Sequence, residues 1–477
     1  MKANGAFARA SLTRFARASR EEYEAALSEL VEIPSVSVEL DRKGDVRRAA
    51  DRAAARIRSL GGAAEILETG GHPLVAGSLP GDPAWPTVTV YNHLDVQPAD
   101  GPEWRTDPFR FTRRGDRYFA RGTTDDKGPA LAALWGASYA VRRGARVNVR
   151  FLWELEEEIG SPHFESAIRR HARKLATDSV VVSDTIWVSR SQPACPAGLR
   201  GLQGLRLHLR TADHDAHSGT TGGAARNPVA ELAQLLAEMH DARTGRVLIP
   251  GFYEDVVRPT PRELADLRRS GFTVAGFRKD HGFHTLKSRD ALDVMQRLWL
   301  RPTFEVHGIA GGYHGPGVKT VVPPEATAIV SCRLVPRMRP ERIVRLVKAF
   351  VRARSPDVKV TAEHALEPYE GRTSGPHADA IREAVRFAFG KRPVFVREGG
   401  SIGAVLSMER VLGAPVFFLG LSLPEHGYHA PNENFDWRQA SGGIVAFAKY
   451  FEQIAALGRE PGTAAARPRR RGSSRAP

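Results

Sequence analysis

The sequence predicts an α/β protein carrying a second, inserted α+β domain. Helical and β-branched runs alternate through residues 21–187, the alternation returns over 378–457, and the stretch between them switches to half-exposed strands. Glu21–Leu30 and Val46–Leu60 predict helices. Thr87–Tyr91 is short and β-branched and predicts a buried strand. Helix Ala130–Val141 and strands Val147–Trp153 and Ser179–Ser183 continue the pattern, which resumes as helix Ala378–Phe389, strands Val394–Arg397 and Pro415–Leu419, and helix Ser441–Leu457. In the middle, Leu205–Thr211 and Ala326–Leu334 alternate as strands wetted on one face do, and Pro228–Met239 and Pro340–Arg354 predict helices. The expected organisation is a catalytic domain from 20–198 and 372–457, an insert over 199–371, and flexible basic tails at 1–19 and 458–477.

At 477 residues the chain is long enough for two cores, and 42% hydrophobic with 26% charged residues is the balance of a soluble globular protein. No run of eighteen apolar residues predicts a membrane span, and the Arg-rich N-terminus lacks the apolar core of a secretory signal. The net charge of +15 does not predict a specific nucleic-acid partner. Five cations and no acid fall within residues 1–20, and six arginines against Glu460 fall within 458–477, so ten of the fifteen charges belong to the expected tails. Two cysteines, Cys195 and Cys332, stand far apart and outside any Cys-x-x-Cys pair, which excludes a thiolate metal site and fits free thiols in a reducing cytoplasm.

The chemistry-bearing residues gather where strands meet loops. His93 and Asp95 follow the Thr87–Tyr91 strand with side chains on one side, so Asp95 is placed to accept from the His93 ring nitrogen that does not face a metal. Alone, His93 reads rather as a solvated histidine at a polar strand end. Asp125 and Asp126 precede a helix, where its dipole and Lys127 also account for a pair of acids. Glu154, Glu156, Glu157 and Glu158 crowd the end of the Val147–Trp153 strand, a costly cluster unless cations neutralise it. Ser183-Asp184 by itself reads as a capped strand end.

Taken in order, His93-Leu94-Asp95, the Arg121–Gly128 segment, Glu156–Ser161, Val182-Ser183-Asp184 and His429-Ala430-Pro431-Asn432-Glu433 resemble the signature of the M20 metallopeptidases. The resemblance spans about residues 20–455, and Asp125-Asp126-Lys127-Gly128-Pro129 with Arg397–Ile402 is most similar to the carnosinase-type dipeptidases. It implies a zinc-peptidase catalytic domain whose insert is a lid and dimerisation domain. It also implies two divalent ions, Zn2+ before Mn2+ or Co2+, with Asp125 bridging, His93 and Asp184 completing one ligand set, and Glu158 and His429 the other. His426 lies in the same loop as His429, and the His-x-x-Asn-Glu spacing selects His429. Glu157 takes the general-base position, ionised beside the cations, and a water bridging the ions is the nucleophile. Three consecutive glutamates leave a slip among Glu156, Glu157 and Glu158 open. The family pattern also implies a cis Asp125-Asp126 bond. Arg333 resembles the lid arginine that holds a substrate carboxylate, and Glu398 and Ser401 resemble residues lining the substrate end of the pocket. His217 resembles a lid histidine that reaches the active site of a second copy, where it stabilises the oxyanion; as a surface loop histidine it would have no such role. The expectation is therefore a cytoplasmic, homodimeric dipeptidase acting on small peptides, with an N-acyl amino acid amidohydrolase or carboxypeptidase as the alternative.

Overall fold

A computed structural model describes residues 7–458; residues 1–6 and 459–477, within the expected basic tails, lie outside the described residues. The chain divides into two compact units: one comprises the chain up to Cys195, Arg372–Val394 and the chain from Ile402, the other Pro196–Gly371 with Phe395–Ser401.

In the first unit a six-stranded sheet runs in the order Ala63–Leu67, Leu74–Ser78, Asn148–Glu154, Thr87–His93, Ser179–Val182, Val416–Phe418. The last four strands are mutually parallel, and the first two attach antiparallel at one edge. Parallel strands covered on both faces read as continuous apolar runs, as Val180, Val181 and Val182 do. Helix Lys127–Arg142 is buried on every side over its first fourteen residues, so apolar Ala-Leu-Ala-Ala-Leu-Trp serves in place of an amphipathic stripe. It packs against helix Trp437–Leu457 closely enough that a Cβ on Gly136 would lie 2.7 Å from Phe447 Cβ and 2.8 Å from Ile444 O. Asp436 caps the latter helix through Gln439 N at 2.9 Å, which starts it at Trp437, four residues before the expected Ser441.

Part of the expected N-terminal tail is structured. Residues Arg9–Ala18, which carry three of the segment's cations, form a helix that buries Leu12 and Ala16. The edge strand Ala63–Leu67 and its neighbour Leu74–Ser78 carry too few β-branched residues to announce themselves.

In the second unit an antiparallel sheet runs Thr303–Gly311, Glu325–Leu334, Gly201–Arg210, Lys359–Leu366. Leu205, Leu207, Leu209, Ala328, Val330 and Cys332 form its apolar face, against Leu232 and Leu235 of helix Pro228–Met239 and Val347 and Phe350 of helix Pro340–Arg354. Phe395–Ser401, read from the sequence as part of the catalytic domain, clusters here instead. Both cysteines are free and buried, and burial pushes the Cys195 thiol up to about 12. Among the described residues no helix is long and apolar enough to cross a membrane.

Candidate active site

The carboxyl ends of the parallel strands converge on one acidic cluster, the position where open α/β sheets place their ligands. His93 ends the Thr87–His93 strand, Asp184 follows Ser179–Val182, and Glu158 lies in a short 3-10 turn beyond Asn148–Glu154. Asp125 occupies the turn before helix Lys127–Arg142, and His429 the loop beyond Val416–Phe418.

These five side chains meet through Asp125. His93 Nε2 lies 2.9 Å from Asp125 Oδ1 and 3.9 Å from Asp184 Oδ2. His429 Nε2 lies 3.0 Å from Asp125 Oδ2 and 3.1 Å from Glu158 Oε2. Each oxygen of one carboxylate thus faces a different histidine. Asp125 is 3% exposed, yet its Oδ2 receives no well-directed hydrogen bond, the state of a ligand atom awaiting a cation. The donor set of imidazole and carboxylate suits zinc and neighbouring divalent ions. Asp126, unassigned from the sequence, forms a further group with His93 and Asp184, although Asn92 Nδ2 already donates to its Oδ2 at 2.7 Å.

The electrostatics follow from packing many acids in little water. Burial raises Asp184 to about 6 and, with its carboxylate neighbours, holds Glu157 and Asp126 well above the usual range against the pull of His93. Burial also opposes the charge of Asp125, but contacts with His429 and His93 outweigh it and hold the group low. Conversely, burial disfavours charge on His429, and Asp125 and Glu158 overcome it, lifting the ring to about 11. The ionised Glu157 expected from the sequence therefore depends on the charge of bound cations.

One expectation changes in detail. The His93 Nδ1 partner is the main-chain carbonyl of Asp95 at 3.0 Å, while the Asp95 carboxylate, 3.5 Å away at its nearest, turns to accept from Glu157 N at 3.2 Å and Glu158 N at 3.1 Å. Asp95 thus holds the turn that carries the two glutamates. Glu156 is engaged elsewhere, accepting from His72 N at 2.8 Å and lying 3.0 Å from His163 Nδ1, so Glu158 alone of the three meets His429. His426 is buried, between Thr124 Oγ1 at 3.0 Å and Asp436 at 3.2 Å, and braces the loop. The Asp125-Asp126 peptide bond is cis.

Several supporting groups were not assigned from the sequence. Glu433, fully buried, accepts from Gly122 N and Thr124 N at 2.9 Å and from Asp125 N at 3.1 Å, and its Oε2 lies 2.9 Å from Arg121 Nη1. Gly122 has φ of 85°, which lets the turn present those amides to one carboxylate. Tyr428 Oη donates to Asp184 Oδ1 at 3.1 Å, and Gln97 Nε2 to Glu158 Oε2 at 2.8 Å. The signal for Glu433 was its place in the His429 motif. Glu433→Ala strands Arg121 and three amides, so a loss of about 3–5 kcal/mol is expected in chemical denaturation; a loss under about 1 kcal/mol would contradict the bracing role.

In the second unit, Arg333 Nη1 donates to Ser401 Oγ at 3.2 Å, and Ser401 Oγ donates in turn to Arg200 O. Glu398 ends the Val394–Glu398 strand just before. His217 is exposed and its Nδ1 accepts from Gly219 N at 2.9 Å, capping the short turn that follows.

Paired carboxylates and histidines around one shared aspartate define a metallohydrolase type of site. The chain matches the model of Peptidase family M20/M25/M40 over residues 89–453, and it belongs to that family as a peptide-bond hydrolase. It is 32% identical to the Cys-Gly metallodipeptidase dug1 of Schizosaccharomyces pombe over 92% of this chain and 96% of that one, and 31% identical to the human Beta-Ala-His dipeptidase over 81% and 78%. Among solved structures, an M20 family metallo-carboxypeptidase from Sulfolobus solfataricus is 30% identical and superposes with a TM-score of 0.83, covering 91% of this chain and 100% of its own.

Proposed function

We propose that the chain is a metal-dependent dipeptidase that hydrolyses the peptide bond of dipeptides and short peptides with free termini. The observation that carries this reading is Asp125, whose two oxygens lie 2.9 and 3.0 Å from His93 and His429. His93, Asp125 and Asp184 would hold one divalent ion, and Asp125, Glu158 and His429 the other, with zinc favoured by the donor set. When bound, such ions make water acidic and polarise the scissile carbonyl. Glu157, fixed by the bonds of its turn to Asp95, takes the proton of the attacking water. Water oxygen adds to the carbonyl carbon, the C–N bond breaks, and Glu157 delivers the proton to the leaving amine.

Arg333 holds the substrate carboxylate, Glu398 and Ser401 line the same end, and His217 stabilises the oxyanion in the active site of a second copy, which makes the working form a homodimer assembled through the second unit. Two buried free thiols support a reducing, cytoplasmic setting. The named relatives, two dipeptidases and one carboxypeptidase, leave a blocked amine as the competing substrate class. Amino-acid release from free dipeptides beside their N-acetylated counterparts, with zinc- or manganese-loaded protein, decides between them. Cleavage of acetylated substrates alone would move the chain to the amidohydrolase or carboxypeptidase reading. Glu398→Gln is expected to lower turnover of free dipeptides far more than that of acylated ones; equal losses would remove Glu398 from the amine.

A further inference from the structure

The second unit contains a cavity of about 660 Å³ whose lining includes Arg200, Arg246, Lys287, Arg297, Arg301 and Arg333. Glu305, at an exposed position, is its one carboxylate. Asp293 compensates two of the cations, lying 2.8 Å from Arg297 Nε and 2.8 Å from Arg301 Nη1. Arg200, Arg246, Lys287 and Arg333 have no carboxylate oxygen within 4.0 Å among the described residues. Arg200 is the least expected of these: it is 6% exposed, its Nη1 donates to Leu298 O and its Nη2 to Thr303 Oγ1 at 3.3 Å, and its Nε is buried without a partner. Neutral acceptors satisfy part of the guanidinium's geometry and none of its charge. Burial and the like charge of Arg333 lower Arg200 to about 10 against the opposing pull of Glu305, and burial lowers Arg333 as well. A buried guanidinium beside a half-buried one of like charge is stabilised when an anion joins them, and the planar fork of arginine fits a carboxylate.

We propose that this cavity selects substrates whose C-terminal residue carries a second carboxylate, with Arg333 on the α-carboxylate and Arg200, Arg246 and Lys287 providing the field for an aspartate or glutamate side chain. The inference rests on the dipeptidase reading for the role of Arg333 and extends it to the substrate class. A single Arg333 accounts for one carboxylate; the further uncompensated cations, in a volume larger than one carboxylate needs, account for the second.

The test pairs Gly-Glu with Gly-Gln, which differ by one charge at nearly constant shape. In the metal-loaded full chain the kcat/KM ratio is expected to favour Gly-Glu by roughly tenfold, the scale of one charge-assisted contact, and to shrink with added salt. In Arg246→Gln/Lys287→Gln the ratio should fall toward one. A wild-type ratio near one, or a ratio unmoved in the double variant, overturns the proposal and leaves the dipeptidase reading intact. Calorimetric titration of chelator-treated protein with L-glutamate and L-glutamine tests the cavity without turnover. Glutamate binding that exceeds glutamine binding and weakens in the double variant supports the cavity even if no dipeptide is cleaved, the result that would reject the dipeptidase reading. Equal binding of the two amino acids overturns the cavity assignment.

Discussion

Asp125→Ala is expected to empty both metal positions together. One carboxylate faces His93 through Oδ1 and His429 through Oδ2, so its removal deletes a ligand from each set, whereas any other substitution in the cluster deletes one. Groups that merely orient a ligand cost roughly 10–100-fold in metal affinity, and loss of a shared ligand should exceed that at each position. The measurement is metal content per chain after equilibration with limiting zinc, alongside activity. His429→Ala serves as the comparison and should retain the ion held by His93 and Asp184. A full complement in Asp125→Ala would remove Asp125 from the shared role. Asp126, which groups with His93 and Asp184, would then be the carboxylate to examine.

The differences between sequence and structure follow one physical line. His93, Asp125, Glu158 and Asp184 were legible because their motifs follow one another in the order of the family signature; local pattern placed each at the end of a strand or helix but did not by itself make any of them a ligand. The Ala130–Val141 helix was legible from that local pattern, and starts three residues earlier at Lys127, which donates to Leu30 O and Ile33 O at 3.0 and 3.2 Å. What escaped depends on contacts between distant positions. The bracing by Glu433 joins residues more than 300 positions apart; its place in the His429 motif marks the residue but not the amides it would accept from. The spacing of His93 and Asp95 placed both on one side but could not tell a carbonyl acceptor from a carboxylate, because the choice is made by the amides of Glu157 and Glu158 arriving from another strand. Helix Arg9–Ala18 was obscured because net charge describes a segment and burial of Leu12 and Ala16 depends on what covers them.

Glu157→Gln separates proton transfer from metal binding. The amide keeps nearly the same shape, and the anchor of this turn is the Asp95 carboxylate on the main-chain amides, which the substitution leaves in place. Metal content should therefore match the wild type. The amide cannot take a proton from water, so kcat should fall by roughly 10²–10⁴, the range for loss of a positioned acid–base group, with KM little changed. The two neighbouring glutamates provide the control. Glu156 accepts from His72 N, so Glu156→Gln should leave metal content and the pH profile near wild type, while Glu158, 3.1 Å from His429 Nε2, should affect metal content first. If Glu157→Gln instead loses metal in proportion to activity, Glu157 is a ligand and the proton is carried by another group. If it keeps both metal and activity, the base must be sought outside this turn.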